Sequence, residues 1–189
     1  MKQTDLEFSD WTPPRHVRAV ALAVVRNVDR ILMQESVDRA NALTVYRPPG
    51  GTIEFLESGE KTVIREFWEE LAIELVDVLY LGTIESIGES IRGPWHEIIM
   101  LYEASFADHA NYDVASFRSL PGSGMRYATR WLTLSEIESI PHSIQPRNLL
   151  SLLRTPRMPS DRTPFACRAG RGFEKRPCRR LETAKNPFL

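Results

Sequence analysis

Cysteine is scarce in this chain: 189 residues hold two, Cys167 and Cys178. Two cysteines make no disulfide framework, and neither sits in a zinc-ligand spacing. No apolar run approaches the ~18–20 residues that a membrane helix needs. Residues Met1 to Glu7 carry no apolar leader stretch, so a protein of the cytoplasm is expected. An excess of one charge is also missing, with 24 Lys and Arg against 25 Asp and Glu. Nor is there an internal repeat. What remains is ordinary globular composition, 42% hydrophobic and 26% charged. The length suits one domain and buries a core without staples.

The charge balance is uneven along the chain. Residues 155–189 hold nine Lys and Arg against three Asp and Glu, with both cysteines and five of the 13 prolines. This stretch has no helical or strand period and is expected to be a basic tail outside the fold. Its alternative is a nucleic-acid arm, with Arg168, Arg171, Lys175, Arg176, Arg179 and Arg180 on phosphates. A plain extension is the simpler reading, so nucleic acid is not the expected partner.

Upstream, the pattern mixes strands and helices. Val17 to Val25 reads as a strand covered on both faces. Asn27-Val28-Asp29 is a turn, and Ile31-Leu32-Met33 returns as a second strand. A polar loop at Asp38-Arg39-Ala40-Asn41 precedes Val45-Tyr46-Arg47, which is halted by Pro48-Pro49-Gly50-Gly51, a stiff turn with a bare backbone. Glu60 to Leu71 reads as a helix with Ser58 as N-cap. Leu75 to Ile84 is a strand, Arg92-Gly93-Pro94 a turn, and His96 to Phe106 a long strand with Glu97 and Glu103 on one face. Thr129 to Leu132 is a short strand, Ser135 caps a brief helix, and Gln145 to Leu153 closes the domain as a helix. Without a regular βαβ alternation the fold class is α+β.

The chemistry concentrates on the helix. At 100° per residue Ile64, Phe67, Trp68 and Leu71 share one side, and Glu66, Glu69 and Glu70 the other. Like charges four apart destabilise an isolated helix by about 0.2–0.5 kcal/mol. A cation on that face would relieve them, and hard oxygen donors without His or Cys suit Mg²⁺ (or Mn²⁺) rather than zinc. A merely solvated acidic face is the even alternative from the helix alone.

The surrounding residues sharpen the choice. Gly51, Glu57, Arg65, Glu66, Glu69 and Glu70, with Phe67 and Ile73 at apolar positions, resemble the Nudix box, G-x5-E-x7-R-E-U-x-E-E-x-G-U. One position departs: the box glycine is Ala72. That glycine ends the helix in a left-handed conformation, which costs another residue about 1–2 kcal/mol. The resemblance continues in Arg47-Pro48-Pro49-Gly50 before the box and Trp131 to Glu136 after it. It implies a Nudix domain over residues 17–154, an α/β/α sandwich around a mixed β-sheet, with residues 1–16 as a lead-in.

The family hydrolyses a nucleoside diphosphate linked to another group, using Mg²⁺ or Mn²⁺. Carried over residue by residue, Glu66, Glu69 and Glu70 are the metal set, and Glu57 holds Arg65 or a second metal. Arg65 orients a carboxylate. The lesser alternative is a plain surface pair with Glu69. Gly50 and Gly51 let the backbone approach the phosphates, and Arg47 reaches them or pairs with a carboxylate. Glu97, beside His96, is the candidate general base outside the box, with Glu103 as a weaker one. Trp95, Tyr46 and Phe55 are candidates to stack on a nucleobase.

The subfamily is open. The extra motifs of coenzyme A and NADH pyrophosphatases are missing. Gly88 and Glu89 stand where ADP-ribose pyrophosphatases often have a proline and diadenosine polyphosphate hydrolases a tyrosine. The expectation is a generic pyrophosphohydrolase acting on a small nucleotide, with no membrane partner and a homodimer left open. The alternative of another class is a non-catalytic Nudix-fold nucleotide-binding or regulatory module.

Overall fold

A computed structural model describes residues 14–38, 43–90, 93–121, 127–140 and 143–154. The readings for 155–189, for residues 39–41 of the polar loop and for Arg92 lie outside the described residues.

Strand β1 (Arg18–Asn27) is the axis. Val20 through Val25 have no exposed surface, as a strand covered on both faces requires. Alternation divides them. Val20, Leu22 and Val24 enter one core, while Ala21, Ala23 and Val25 enter the other. β1 pairs in parallel with β6 (Gly93–Phe106) and antiparallel with β4 (Gly50–Thr52). β5 (Leu75–Ser90) lies antiparallel on the far side of β6. A turn at Val28-Asp29 leads into β2 (Arg30–Asp38), which stands between β3 (Leu43–Arg47) and β7 (Ala128–Thr133), all antiparallel.

Helices cover both faces. α1 (Gly59–Leu71) lays Val63, Phe67 and Leu71 on the core that contains Ala21 and Ala23. The small alanines allow the close approach that dense packing demands. On the other core lie Ile137 of α2 (Leu134–Ser139) and Leu149 and Leu153 of α3 (Leu149–Arg154). The result is an α+β domain, an α/β/α sandwich around a mixed sheet.

Several local expectations are corrected. Trp68 is 62% exposed and does not join the apolar face of α1. That face is centred on Val63 and Phe67, which turns Trp68 outward and draws Thr62 and Glu70 in. β5 runs on to Ser90, and Gly93 and Pro94 belong to β6, because the ladder continues to Ser90↔Gly93. Thr133, not Ser135, caps α2, in a reciprocal capping box with Glu136. The closing helix starts at Leu149. Gln145 precedes a proline, which disfavours helical backbone, and its N–H instead donates to Tyr46.

α1 itself begins and ends as its sequence dictates. Ser58 Oγ accepts from the Lys61 N–H at 3.3 Å. At the other end Ala72 adopts φ 54°, ψ 37°, the left-handed conformation that the box glycine would take without a Cβ penalty. Its N–H donates to Trp68 and that of Ile73 to Phe67, which satisfies the last carbonyls.

Candidate active site

The turn before the helix makes room for it. Gly50 has φ 143°, and a Cβ there would lie 2.2 Å from the Ala21 carbonyl oxygen. A Cβ on Gly51 would lie 2.1 Å from Glu66 Oε1. The two glycines therefore vacate space as well as bend the chain. The first admits β1, and the second lets the Glu66 carboxylate lie against bare backbone.

Arg65 organises the carboxylates. Its Nε and Nη2 donate to the two oxygens of Glu57 at 2.9 and 3.0 Å. Nη1 donates to both Glu66 Oε1 and Glu69 Oε2 at 3.0 Å, and Nη2 also reaches the Thr52 carbonyl at 3.2 Å. The bidentate fork on Glu57 fixes the guanidinium plane. Thr62 adds a hydroxyl to Glu57 at 2.8 Å. The Arg65 hydrogen bond holds Glu57 down to about 2 and, reciprocally, raises the pKa of Arg65. Arg65 is thus the hub of a four-residue network, in which the pair with Glu69, the alternative reading of Arg65, is one spoke among three.

The three helix carboxylates do not share one environment. Glu69 is exposed, Glu66 is mostly covered, and Glu70 is 9% exposed. Burial raises the pKa of Glu66 against the opposing charge of Arg65. Burial pushes Glu70 further, up to about 7, against a hydrogen bond from Tyr127. That bond is 2.6 Å long, from Tyr127 Oη to Glu70 Oε2, inside the core. Burial and the Glu70 charge raise the Tyr127 phenol in turn.

Glu97 is held elsewhere. It is buried on β6 and forms ion pairs with Arg18 and, at 3.5 Å, with Arg47. Arg18 reaches it because β1 and β6 are in register at Arg18↔Glu97. Burial lowers the pKa of Arg47, and Glu97 opposes the shift. Arg47 also feels the charge of Glu70, so it links the two groups. His96 bonds to Glu85 and Glu103 to Arg26, each at 2.9 Å. Of the three stacking candidates, Tyr46 is in the core and the Trp95 ring lies against Gly88. Phe55 is 91% exposed at the loop between β4 and α1.

Among the described residues no three His, Cys, Asp or Glu side chains converge as ligands for a metal ion. The fit to a hard divalent cation is one of charge and donor chemistry. Glu57, Glu66, Glu69 and Glu70 outnumber Arg65, and all offer oxygen. Two of them are covered carboxylates whose ionised form burial disfavours, a condition that a cation relieves.

Tyr127, Arg18 and Thr62 are the partners that sequence reasoning missed. Thr62 lies one helical turn from Ser58 within the box and was open to notice. Tyr127 is 57 residues from Glu70, and no short spacing joins them.

The NUDIX domain family model matches residues 14–153. Among solved structures the chain is similar to a MutT NUDIX hydrolase from Burkholderia pseudomallei, at 24% identity over 65% of this chain and 87% of that one, with TM-score 0.49. It is also similar to a NUDIX hydrolase from Nitrosomonas europaea, at 14% identity over 73% and 86%, with TM-score 0.54. The second likeness is one of fold. No curated protein matches the chain.

Proposed function

The chain belongs to the Nudix family of pyrophosphohydrolases, and we propose that it cleaves the phosphoanhydride bond of a nucleoside diphosphate linked to another group. The observation that carries this reading is the Arg65 network, which gathers Glu57, Glu66 and Glu69 beside Gly51 within a Nudix domain. Glu66, Glu69 and Glu70 would hold Mg²⁺ or Mn²⁺. Bound there, the cation would offset charge on the phosphate oxygens and help ionise the attacking water.

The chain's own residues prepare the site. Glu57 fixes Arg65, and Arg65 fixes Glu66 and Glu69 by charge-assisted hydrogen bonds. Gly50 and Gly51 leave the backbone open to a phosphate group. Arg47 is the last residue of β3, just before this turn, and offers positive charge for phosphate oxygens. Glu97, saturated by two arginines, is better suited to hold Arg47 than to take a proton. Scarce cysteine suits a reducing compartment, and the cytoplasm is the proposed place of action.

The test is a screen of NDP-linked compounds with Mg²⁺, following monophosphate release. Turnover names the substrate class. No turnover of any compound, with nucleotide binding retained, would sink the catalytic reading in favour of a binding module.

A further inference from the structure

Glu70 differs from its three neighbours in what holds it. Glu57, Glu66 and Glu69 all accept hydrogen bonds from the Arg65 guanidinium. Glu70 accepts from the hydroxyl of Tyr127 at 2.6 Å, with both residues buried. A guanidinium orients a carboxylate and also neutralises it. A neutral hydroxyl orients it and leaves its charge for something else.

The hydroxyl is firmly placed. The Tyr127 ring is 3% exposed, in the core that α1 packs on. Its backbone is tied to Ser119, because the Ser119 N–H donates to the Tyr127 carbonyl and the Tyr127 N–H to Ser119 Oγ, both at 3.0 Å. Two residues further on, the Thr129 N–H donates to Phe117 and Thr129 Oγ1 accepts from the Phe117 N–H. The same segment grips Glu70 a second time, where the Leu120 N–H donates to the Glu70 carbonyl at 2.7 Å. Backbone and side chain of Glu70 are thus set by Leu120 and Tyr127, which the bonds among Phe117, Ser119, Tyr127 and Thr129 hold.

We propose that Tyr127 is a positioning residue for the metal site. By donating to Oε2 of Glu70 it fixes the carboxylate rotamer without adding a competing positive charge, and leaves Oε1 for the cation. This rests on the reading of Glu70 as a metal ligand. Partners that orient ligands in this way typically contribute about 10–100-fold in metal affinity.

The experiment measures Mn²⁺ affinity by electron paramagnetic resonance of the free ion, and the melting temperature without metal, on the full chain. Four proteins are compared: wild type, Tyr127→Phe, Ser119→Ala and Glu70→Gln. Tyr127→Phe keeps the ring in the core and is expected to weaken Mn²⁺ binding about 10-fold. Ser119→Ala removes a hydrogen bond of the same segment that does not touch Glu70. It is expected to lower the melting temperature with Mn²⁺ affinity within about 2-fold of wild type. Glu70→Gln must weaken Mn²⁺ binding. If it does and Tyr127→Phe does not, the positioning role is wrong while the metal reading stands. Equal weakening by Ser119→Ala and Tyr127→Phe also overturns the proposal, since general loosening would explain both. If Glu70→Gln leaves Mn²⁺ binding unchanged, the underlying assignment of Glu70 fails. Should Tyr127→Phe not fold, Tyr127→Leu, which has no side-chain donor and adds no volume to the core, answers the same question.

Discussion

Among the described residues, two of the acid–arginine groups are built to opposite ratios. On α1 one guanidinium, that of Arg65, serves Glu57, Glu66 and Glu69, with Glu70 beside them on a tyrosine. On the sheet two guanidiniums, those of Arg18 and Arg47, serve the single carboxylate of Glu97. Carboxylates in the first group keep charge to offer, whereas the carboxylate in the second is consumed by its partners. The identity of a glutamate therefore says less about its chemistry than the count of arginines around it.

The largest effect that would break this contrast is catalytic. Glu70→Gln should lower the single-turnover rate by on the order of 10²–10³ across a Mg²⁺ titration. Glu103→Gln, which disturbs the Arg26 pair away from the α1 group, should stay within about twofold. A near wild-type rate for Glu70→Gln would make the α1 group an ordinary solvated face.

Glu97→Gln probes the other group through stability. Removing one charge of a buried, paired set weakens the compensation of both guanidiniums and should cost about 3 kcal/mol, read as a drop in the urea midpoint. An unchanged midpoint would mean that the Glu97 pairs are dispensable.

The pH dependence of the metal-free protein separates members of the α1 group by sign. Glu57 is held at about 2 when folded, so its stabilisation is complete above the usual carboxylate pKa and is lost as pH falls from about 4.5 towards 2. Glu70 is raised to about 7 when folded, so its protonated form favours the fold at low pH, and that advantage is lost as pH rises from about 4.5 to 7. Glu57→Gln should flatten the acid limb alone and Glu70→Gln the neutral limb alone, in melting temperature against pH. Both variants flattening the same limb would undo the distinction.

The smallest expected effect concerns the helix end. With Ala72 at φ 54°, Ala72→Gly relieves left-handed strain and should stabilise the domain by up to ~1 kcal/mol. The check is a raised melting temperature with catalysis unchanged.

Much of this was legible in the residues themselves. Helical periodicity and a capping serine located α1 and its start, and the box glycine position its left-handed end. The apolar run from Val17 located the central strand. Trp68 misled, because angular position on a helix says which residues share a side but not which side the sheet takes. Glu70 misled for the same reason. It falls with Glu66 and Glu69 by angle, yet the helix rolls it towards the core, where Tyr127 waits.

Sequence alone determined whatever depends on neighbours within a turn or two of chain. That covers the helix and its caps, and the family resemblance carried by the box spacing. Tertiary structure alone decided which carboxylate is buried, which is saturated and which is held by a neutral hydroxyl. Those outcomes depend on partners brought from 57 and 79 residues away. Hydrogen bonds and desolvation act over a few ångströms in space, and only the packing of α1 and the pairing of β1 with β6 bring Tyr127 to Glu70 and Arg18 to Glu97.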